Sequence, residues 1–289
     1  FNYQSDIQDF KVKMNDPERQ IVTRAMLAIS QIEVAVKTFW AKVGDRLPKP
    51  EVAAVGVTFG ESEVRHADAY SNLIELLGLN SEFAAVTQVP AIKKRIAYLE
   101  KSLATPVDDK EYFKNILLFS VFIENISLFS QFLIMMSFNK HGNMLKGISN
   151  AVQATSKEED IHAKFGMELI NIIKEENPDY WSYEVEQEVL ELADEALNAE
   201  YEIIKWIFED AECDYVTVSQ CKEFITQRMN KSLKAIGLNR GFFFFDKRVT
   251  DTTEWFDDEV LVSSQVDFFY KRSTSYNKKS KAITEDDLF

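Results

Sequence analysis

The chain is poor in helix breakers, thiols and imidazoles: 9 glycines, 6 prolines, 2 cysteines and 3 histidines in 289 residues. Scarce Gly and Pro, with long apolar runs, 46% hydrophobic residues and 22 Phe, argue against a turn-rich organisation and for an all-α fold. Basic charge is also short, with 33 Lys and Arg against 47 Asp and Glu. The resulting net charge of −14 argues against general nucleic-acid binding, because a phosphate-binding surface needs a basic excess. Cys213 and Cys221 match no zinc pattern, and so few cysteines suit a reducing cytoplasm, the expected location. No run reaches the roughly 18 uninterrupted apolar residues of a membrane span, and no signal peptide is visible. The sequence starts at Phe1 without a Met, so residues upstream are expected. A chain of this length can bury a sizeable core.

Scarce as histidine is, two of the three fall in one repeated pattern, Glu63-Val64-Arg65-His66 and Glu159-Asp160-Ile161-His162. On a helix, positions i and i+3 share a face, so each Glu-x-x-His can aim a carboxylate and an imidazole at one point. Glu33 and Glu124 lie within strongly apolar helical stretches, and Glu124 is the only charge between Lys114 and Lys140. The series Glu33, Glu63/His66, Glu124, Glu159/His162 is the ligand set of a two-metal carboxylate site inside a helix bundle. Four carboxylates with two neutral imidazoles carry four negative charges, which two divalent ions cancel. Without metal, that charge in an apolar interior is very costly.

Residues 1–14 read as irregular. Asp16 is the expected N-cap of a first long helix, with Pro17 opening it and the pattern continuing towards Gly44. A second helix is expected over about 51–77, stopped by Gly78, and a shorter one over 92–103. A long continuous helix, 112–138, then carries Glu124. His141-Gly142-Asn143 makes a turn, and helices follow over roughly 146–175, 181–209 and 217–236. From about Ser273 the sequence turns polar and ends in acids before Leu288 and Phe289, the pattern of a disordered tail. Two domains of behaviour follow: residues 1–272 as a helical domain, and 273–289 as the tail.

Several residues admit two readings. Glu158 either supports a ligand imidazole from behind or is a solvated acid beside Lys157. Tyr70, on the ligand face four residues after His66, is either a core tyrosine with a satisfied hydroxyl or a redox group. Leu128 and Phe132, at i+4 and i+8 from Glu124, either wall the metal pocket or are plain core. His141 reads as exposed or C-capping. Glu61 has no His three residues on and is not a ligand.

The ligand series resembles that of the small, radical-generating subunit of class I ribonucleotide reductase. Phe268-Phe269-Tyr270-Lys271-Arg272-Ser273-Thr274-Ser275-Tyr276 is similar to that family's Phe-Phe-x-x-Arg-x-x-x-Tyr segment, and the acidic end resembles its docking tail. The resemblance implies a ferritin-like helix bundle, metal ligands Glu33, Glu63, His66, Glu124, Glu159 and His162, and a homodimer. It places Tyr70 at the family's radical tyrosine, Glu158 at the acid linking a ligand His to a tryptophan, and Tyr276 at the mobile tyrosine that relays an electron hole. The tryptophan itself falls upstream of Phe1. Glu at position 33 and the 35-residue gap from Glu124 to Glu159 are similar to subclass Id, which uses two manganese ions and needs no stable tyrosyl radical. Iron, or a mixed manganese/iron pair, is the alternative, and ligand chemistry suits both metals.

The implied function is an oxidoreductase. An oxygen species, dioxygen or superoxide, activates the site, and the oxidising equivalent passes through aromatic residues to Tyr276 and a large catalytic subunit. There ribonucleotides become deoxyribonucleotides for DNA precursor synthesis. The competing classes are a ferritin-like storage protein or oxidase and a ligand-binding dimetal oxidase; the tail segment argues against both.

Overall fold

The structure, a computed structural model, describes residues 3–261; the Phe268–Tyr276 segment and the acidic end lie outside the described residues. Helices account for nearly all of the ordered elements, and no strand occurs among the described residues. The helices are α1 (Gln4–Gln8), α2 (Asp16–Val36), α3 (Pro50–Leu77), α4 (Asn80–Ala85), α5 (Pro90–Leu103) and α6 (Asp109–Leu117). A π-helical stretch, Leu118–Ser127, joins α6 to α7 (Phe129–Gly142). Then come α8 (Lys146–Glu176), α9 (Tyr183–Ile207), α10 (Val218–Ala235) and α11 (Lys247–Thr250). The all-α expectation therefore holds, and the arrangement is a ferritin-like bundle.

Helices α2, α3 and α8 and the α6–π–α7 rod pack on one another, while α5, α9 and α10 cover the other side of the π stretch. That rod is surrounded on all sides. Asp109–Gly142 is long and apolar enough to cross a membrane, yet its apolar window is wholly buried inside the bundle. Phe119, Phe122, Phe129 and Phe132 are fully enclosed there. Each such ring contributes about 1.5–3 kcal/mol relative to exposure.

Local signals account for most helix ends. Asn15, not Asp16, is the N-cap of α2: its side chain accepts from Glu18 N (2.9 Å), and Glu18 returns a bond to Asn15 N (3.0 Å). This capping box outcompetes Asp16 because only Asn15 stands three residues before a glutamate. Helix α3 ends at Gly78, in the left-handed region at φ 78°, with Leu79 N reaching back to Ile74 O (2.9 Å). A side chain there would be strained, which is why the helix stops at that residue.

Three further expectations fail. The first helix ends at Val36 rather than near Gly44, and a 3-10 turn, Trp40–Asp45, follows and lies along α3. The expected single helix 112–138 is interrupted by the π stretch. Residues 4–13 are helical rather than irregular, and two buried acids explain their place. Asp6 accepts from Ile148 N (2.8 Å) and Asp9 from Leu145 N (3.0 Å). Leu145, the N-cap of α8, has no side-chain cap of its own, so these acids satisfy the free amides and face the positive end of the dipole.

Candidate metal centre

Glu33 comes from α2, Glu63 and His66 from α3, Glu124 from the π stretch, and Glu159 and His162 from α8. All six are buried, none more than 2% exposed. They form two overlapping groups of potential ligands, Glu33/Glu63/His66/Glu159 and Glu63/Glu124/Glu159/His162. Within each group one ligand atom per residue lies within 4.8 Å of the others. Glu63 and Glu159 belong to both, the position of carboxylates that bridge two ions, and each group has one imidazole and one private carboxylate.

The imidazoles are mirror-like in role. His66 Nδ1 faces inward, 2.8 Å from Glu159 and 3.8 Å from Glu33, while its Nε2 lies 2.5 Å from Glu158 Oε2. His162 Nδ1 lies 2.9 Å from Glu63, 3.2 Å from Glu159 and 3.6 Å from Glu124, and its Nε2 meets Ser62 Oγ at 3.1 Å. Each ring thus turns one nitrogen to the centre and ties the other to a partner, as metal-bound imidazoles do. Glu158 also meets Arg65 at the surface (3.4 Å).

The donor set fits a pair of cations. Among the described residues, buried polar atoms without a well-formed hydrogen bond include both oxygens of Glu33 and Glu63, Glu124 Oε2, Glu159 Oε1 and His66 Nδ1. Buried atoms of this kind are almost always paired, so a cluster of seven converging on one space calls for positive charge. Electrostatics agree. Burial pushes Glu33 and Glu124 well above the ordinary carboxylate range and raises Glu63. Burial opposes the charge on Glu159 too, but its hydrogen bond with Glu124 and the two imidazoles hold it well below that range. On His66 and His162 burial works against protonation, yet the surrounding carboxylates prevail and push them up to about 11 and about 12. Protons thus take the place of ions when the centre is metal-free.

The π stretch delivers Glu124 to this centre. A π turn leaves carbonyls outside the regular i→i+4 ladder, a cost usually tolerated at functional sites. Two buried arginines take them: Arg228 Nε donates to Asn125 O (3.2 Å) and Arg95 Nη2 to Ser127 O (3.1 Å). Arg95 also donates to Ala28 O of α2 (2.9 Å) and forks onto Glu200 of α9 (2.8 and 2.6 Å). Helix α8 closes on the same stretch at Gly166, where a Cβ would sit 2.0 Å from Ser120 Oγ.

Tyr70 is fully enclosed, and its hydroxyl pairs with Thr155 Oγ1 (2.7 Å). Burial, with Glu33 nearby, keeps that hydroxyl protonated, far above the usual phenol range. Leu128 and Phe132 are buried, Phe132 edge-on to Phe129. Because the π stretch shifts the helical register, their i+4 and i+8 spacing from Glu124 carries no placement on the ligand face. The group that does touch Glu124 is Trp40, whose Nε1 donates to Oε1 at 2.8 Å. No sequence signal marks it, since it lies past the end of α2. His141 is exposed and meets the Trp255 ring edge-on. Tyr276 lies outside the described residues.

Comparison with known proteins fits this centre. The sequence model of the family described as "Ribonucleotide reductase, small chain" matches residues 1–243. The chain is 24% identical over 296 residues to the probable ribonucleoside-diphosphate reductase small subunit 048L of Invertebrate iridescent virus 3, covering 96% of this chain and 77% of that one. It is 23% identical to the ribonucleoside-diphosphate reductase subunit beta of Chlamydia pneumoniae, covering 91% and 78%. In fold it is similar to a putative class I ribonucleotide reductase from Bacillus halodurans, with a TM-score of 0.80, 14% identity and coverage of 90% and 92%. Streptococcus sanguinis dimanganese(II)-NrdF shares the fold at TM-score 0.71, 17% identity and coverage of 83% and 82%. So does an R2-like ligand-binding oxidase with a Mn/Fe cofactor, at 0.69, 18% and coverage of 82% and 86%.

Proposed function

Because this chain belongs to the ribonucleotide reductase small-chain family, we propose that it supplies the oxidising equivalent with which a separate large subunit reduces ribonucleotides to deoxyribonucleotides. The observation that carries the reading is the six-residue buried centre with its seven unpartnered donor atoms. Glu33 and His66 would hold one ion, Glu124 and His162 the other, with Glu63 and Glu159 between them. Two ions bound there supply redox chemistry that no side chain of the centre has alone. The protein's part is to orient the donors, keep water out through Phe59, Phe119 and Phe165, and hold the imidazoles in one tautomer through Glu158 and Ser62.

Within the family we place the chain in subclass Id, with manganese at both positions and iron or a Mn/Fe pair as the alternative. Glu33 and the spacing of Glu124 and Glu159 support this, and so does the Tyr70 hydroxyl, which pairs with Thr155 rather than with a ligand carboxylate. On this reading the activating species is dioxygen or superoxide, and Tyr70 does not carry the working radical. Tyr276 relays the hole, and the acidic end docks on the large subunit. A homodimer is supported by apolar side chains left exposed on α3 and α8, Val57, Val64 and Ile161. The two cysteines, both free thiols, accord with a cytoplasmic setting.

A ligand-binding oxidase has the same fold. The cavity of about 490 Å³ between α8 and α10 has Asp160, Lys164, Arg228, Lys231 and Asp257 in its walls beside apolar Ala163, Met167 and Leu261. Mixing the metal-loaded protein with its cognate large subunit and assaying ribonucleotide reduction tests the proposal. Turnover only with both subunits is expected, and a well-formed complex without turnover overturns it.

A further inference from the structure

The two halves of the centre are alike in composition but not in what surrounds their private carboxylates. Glu33 has both oxygens unpartnered. Glu124 has only Oε2 free, because Oε1 accepts the indole N–H of Trp40 at 2.8 Å. Trp40 is 0% exposed and cannot swing away to release it. Phe59, Phe119 and Phe165 meet its ring edge-on at centroid distances of 5.5, 5.7 and 5.9 Å. Phe39 packs on it at 5.4 Å and stacks on Phe119 at 3.7 Å. From below, the ring abuts Gly166, where a Cβ would come within 3.1 Å of it. An indole N–H donates and never accepts, so this bond has one direction only and favours Glu124 as a carboxylate.

We propose that Trp40 is the positioning residue that makes the two metal positions unequal: it holds Glu124 as a single-oxygen ligand, so that the His66 half fills first and the His162 half second. The inference rests on the dimetal reading of the centre. Oε2 of Glu124, aimed by the indole, sits 3.6 Å from His162 Nδ1. An ion there draws on one Glu124 oxygen, one oxygen from each bridging carboxylate and the imidazole. In the His66 half, Glu33 can offer both oxygens with no donor competing for its charge. The first ion would therefore meet the half with more free ligand oxygens.

The partner of a metal ligand commonly changes metal affinity 10–100-fold. Trp40→Phe frees Oε1 and should then tighten only the second ion, by up to about that factor, narrowing the gap between the two steps and leaving the first unchanged. The measurement is a Mn(II) titration of the metal-free full chain, followed by the electron paramagnetic resonance signal of free Mn(II). A second readout is the indole N–H region of a 1H–15N spectrum during titration with diamagnetic Zn(II). Four tryptophans contribute there, and the variant identifies the Trp40 peak. That peak should shift chiefly with the second equivalent. Phe39→Leu, which alters packing against the same ring, serves as the packing control and should retain both affinities.

The outcomes separate the claims. Wild-type protein that binds no ions at the six residues sinks the dimetal reading itself. Two-step binding in which Trp40→Phe leaves the second step unchanged or weaker, or shifts both steps equally, overturns the role of Trp40 alone. So does a Trp40 peak that moves with the first equivalent, or a Phe39→Leu variant that reproduces the Trp40→Phe pattern.

Discussion

His66 and Glu158 are joined at 2.5 Å through Nε2 and Oε2, which leaves the other ring nitrogen, Nδ1, to face Glu33, Glu63 and Glu159. Glu158 is half-buried, and the imidazole is the main cause that holds its carboxyl below the ordinary range. The pair fixes both the orientation and the tautomer of the ring. Glu158→Gln removes the charge but keeps the shape, and the affinity of the first ion should fall about 10–100-fold. Metal titration of the variant checks it; an unchanged first affinity would mean that packing alone orients His66. Together with Trp40→Phe, this variant addresses the two halves separately.

The Arg95–Glu200 pair is the interior bond with most at stake for stability, since both side chains are at most 1% exposed. Arg95→Met leaves buried Glu200 without its cation, and strips donors from Ala28 O and Ser127 O. Breaking a buried pair this way costs about 3–5 kcal/mol, whereas removing both charges costs much less. Urea unfolding should therefore show Arg95→Met as the least stable variant, with Arg95→Met/Glu200→Met recovering a large part of the loss. Equal stabilities for the single and double variants would show that the orphaned carboxylate is not the main cost.

Tyr70→Phe should retain substantial turnover with the large subunit if the oxidising equivalent resides on the metals. The variant loses the Thr155 bond, worth about 1 kcal/mol, and no contact to a ligand. Complete loss of turnover with both ions still bound would assign the radical to Tyr70 and argue against subclass Id.

Cys221 is fully buried, and burial pushes its thiol well above the ordinary range; Cys213, partly buried, is raised for the same reason. Native protein should resist alkylation at pH 8, and guanidinium should expose two reactive thiols. The linkage has a definite sign. A thiol whose pKa is raised in the fold adds stability that is present below the unfolded value, about 8.5, and is lost as pH rises above it. Stability measured between pH 7 and 10 should fall accordingly, and a Cys221→Ala variant should show a shallower fall.

Tyr276 and the acidic end differ in role on the proposed reading. Tyr276→Phe should leave large-subunit binding intact and stop turnover, because phenylalanine is far harder to oxidise. Deleting Thr284–Phe289 should weaken binding instead, since acids steer and Leu288 and Phe289 anchor such a segment. Neither change should alter metal content. Normal turnover by Tyr276→Phe would leave the tail as a docking arm only.

The sequence by itself determined the helical class, most helix ends and all six residues that the fold gathers at the centre. Those signals are local: i, i+3 spacing within one helix, a proline just inside a helix start, a glycine at a stop, and a lone acid in an apolar run. Such features report on a face or an end, so they survive without knowledge of neighbours. What lies between helices was not legible. Trp40 and Ser62 sit in no motif, and Arg95 and Arg228 are ordinary arginines until the π stretch frees carbonyls beside them. The π stretch is itself a tertiary choice. Its apolar, alternately polar residues satisfy an α pattern equally well, and buried donors from α5 and α10 decide in favour of the wider turn. Asp6 and Asp9 followed the same rule, because the amides they cap belong to a helix well over a hundred residues away in the chain. Hydrogen-bond partners distant in sequence leave no periodicity behind, and only the packed structure could supply them.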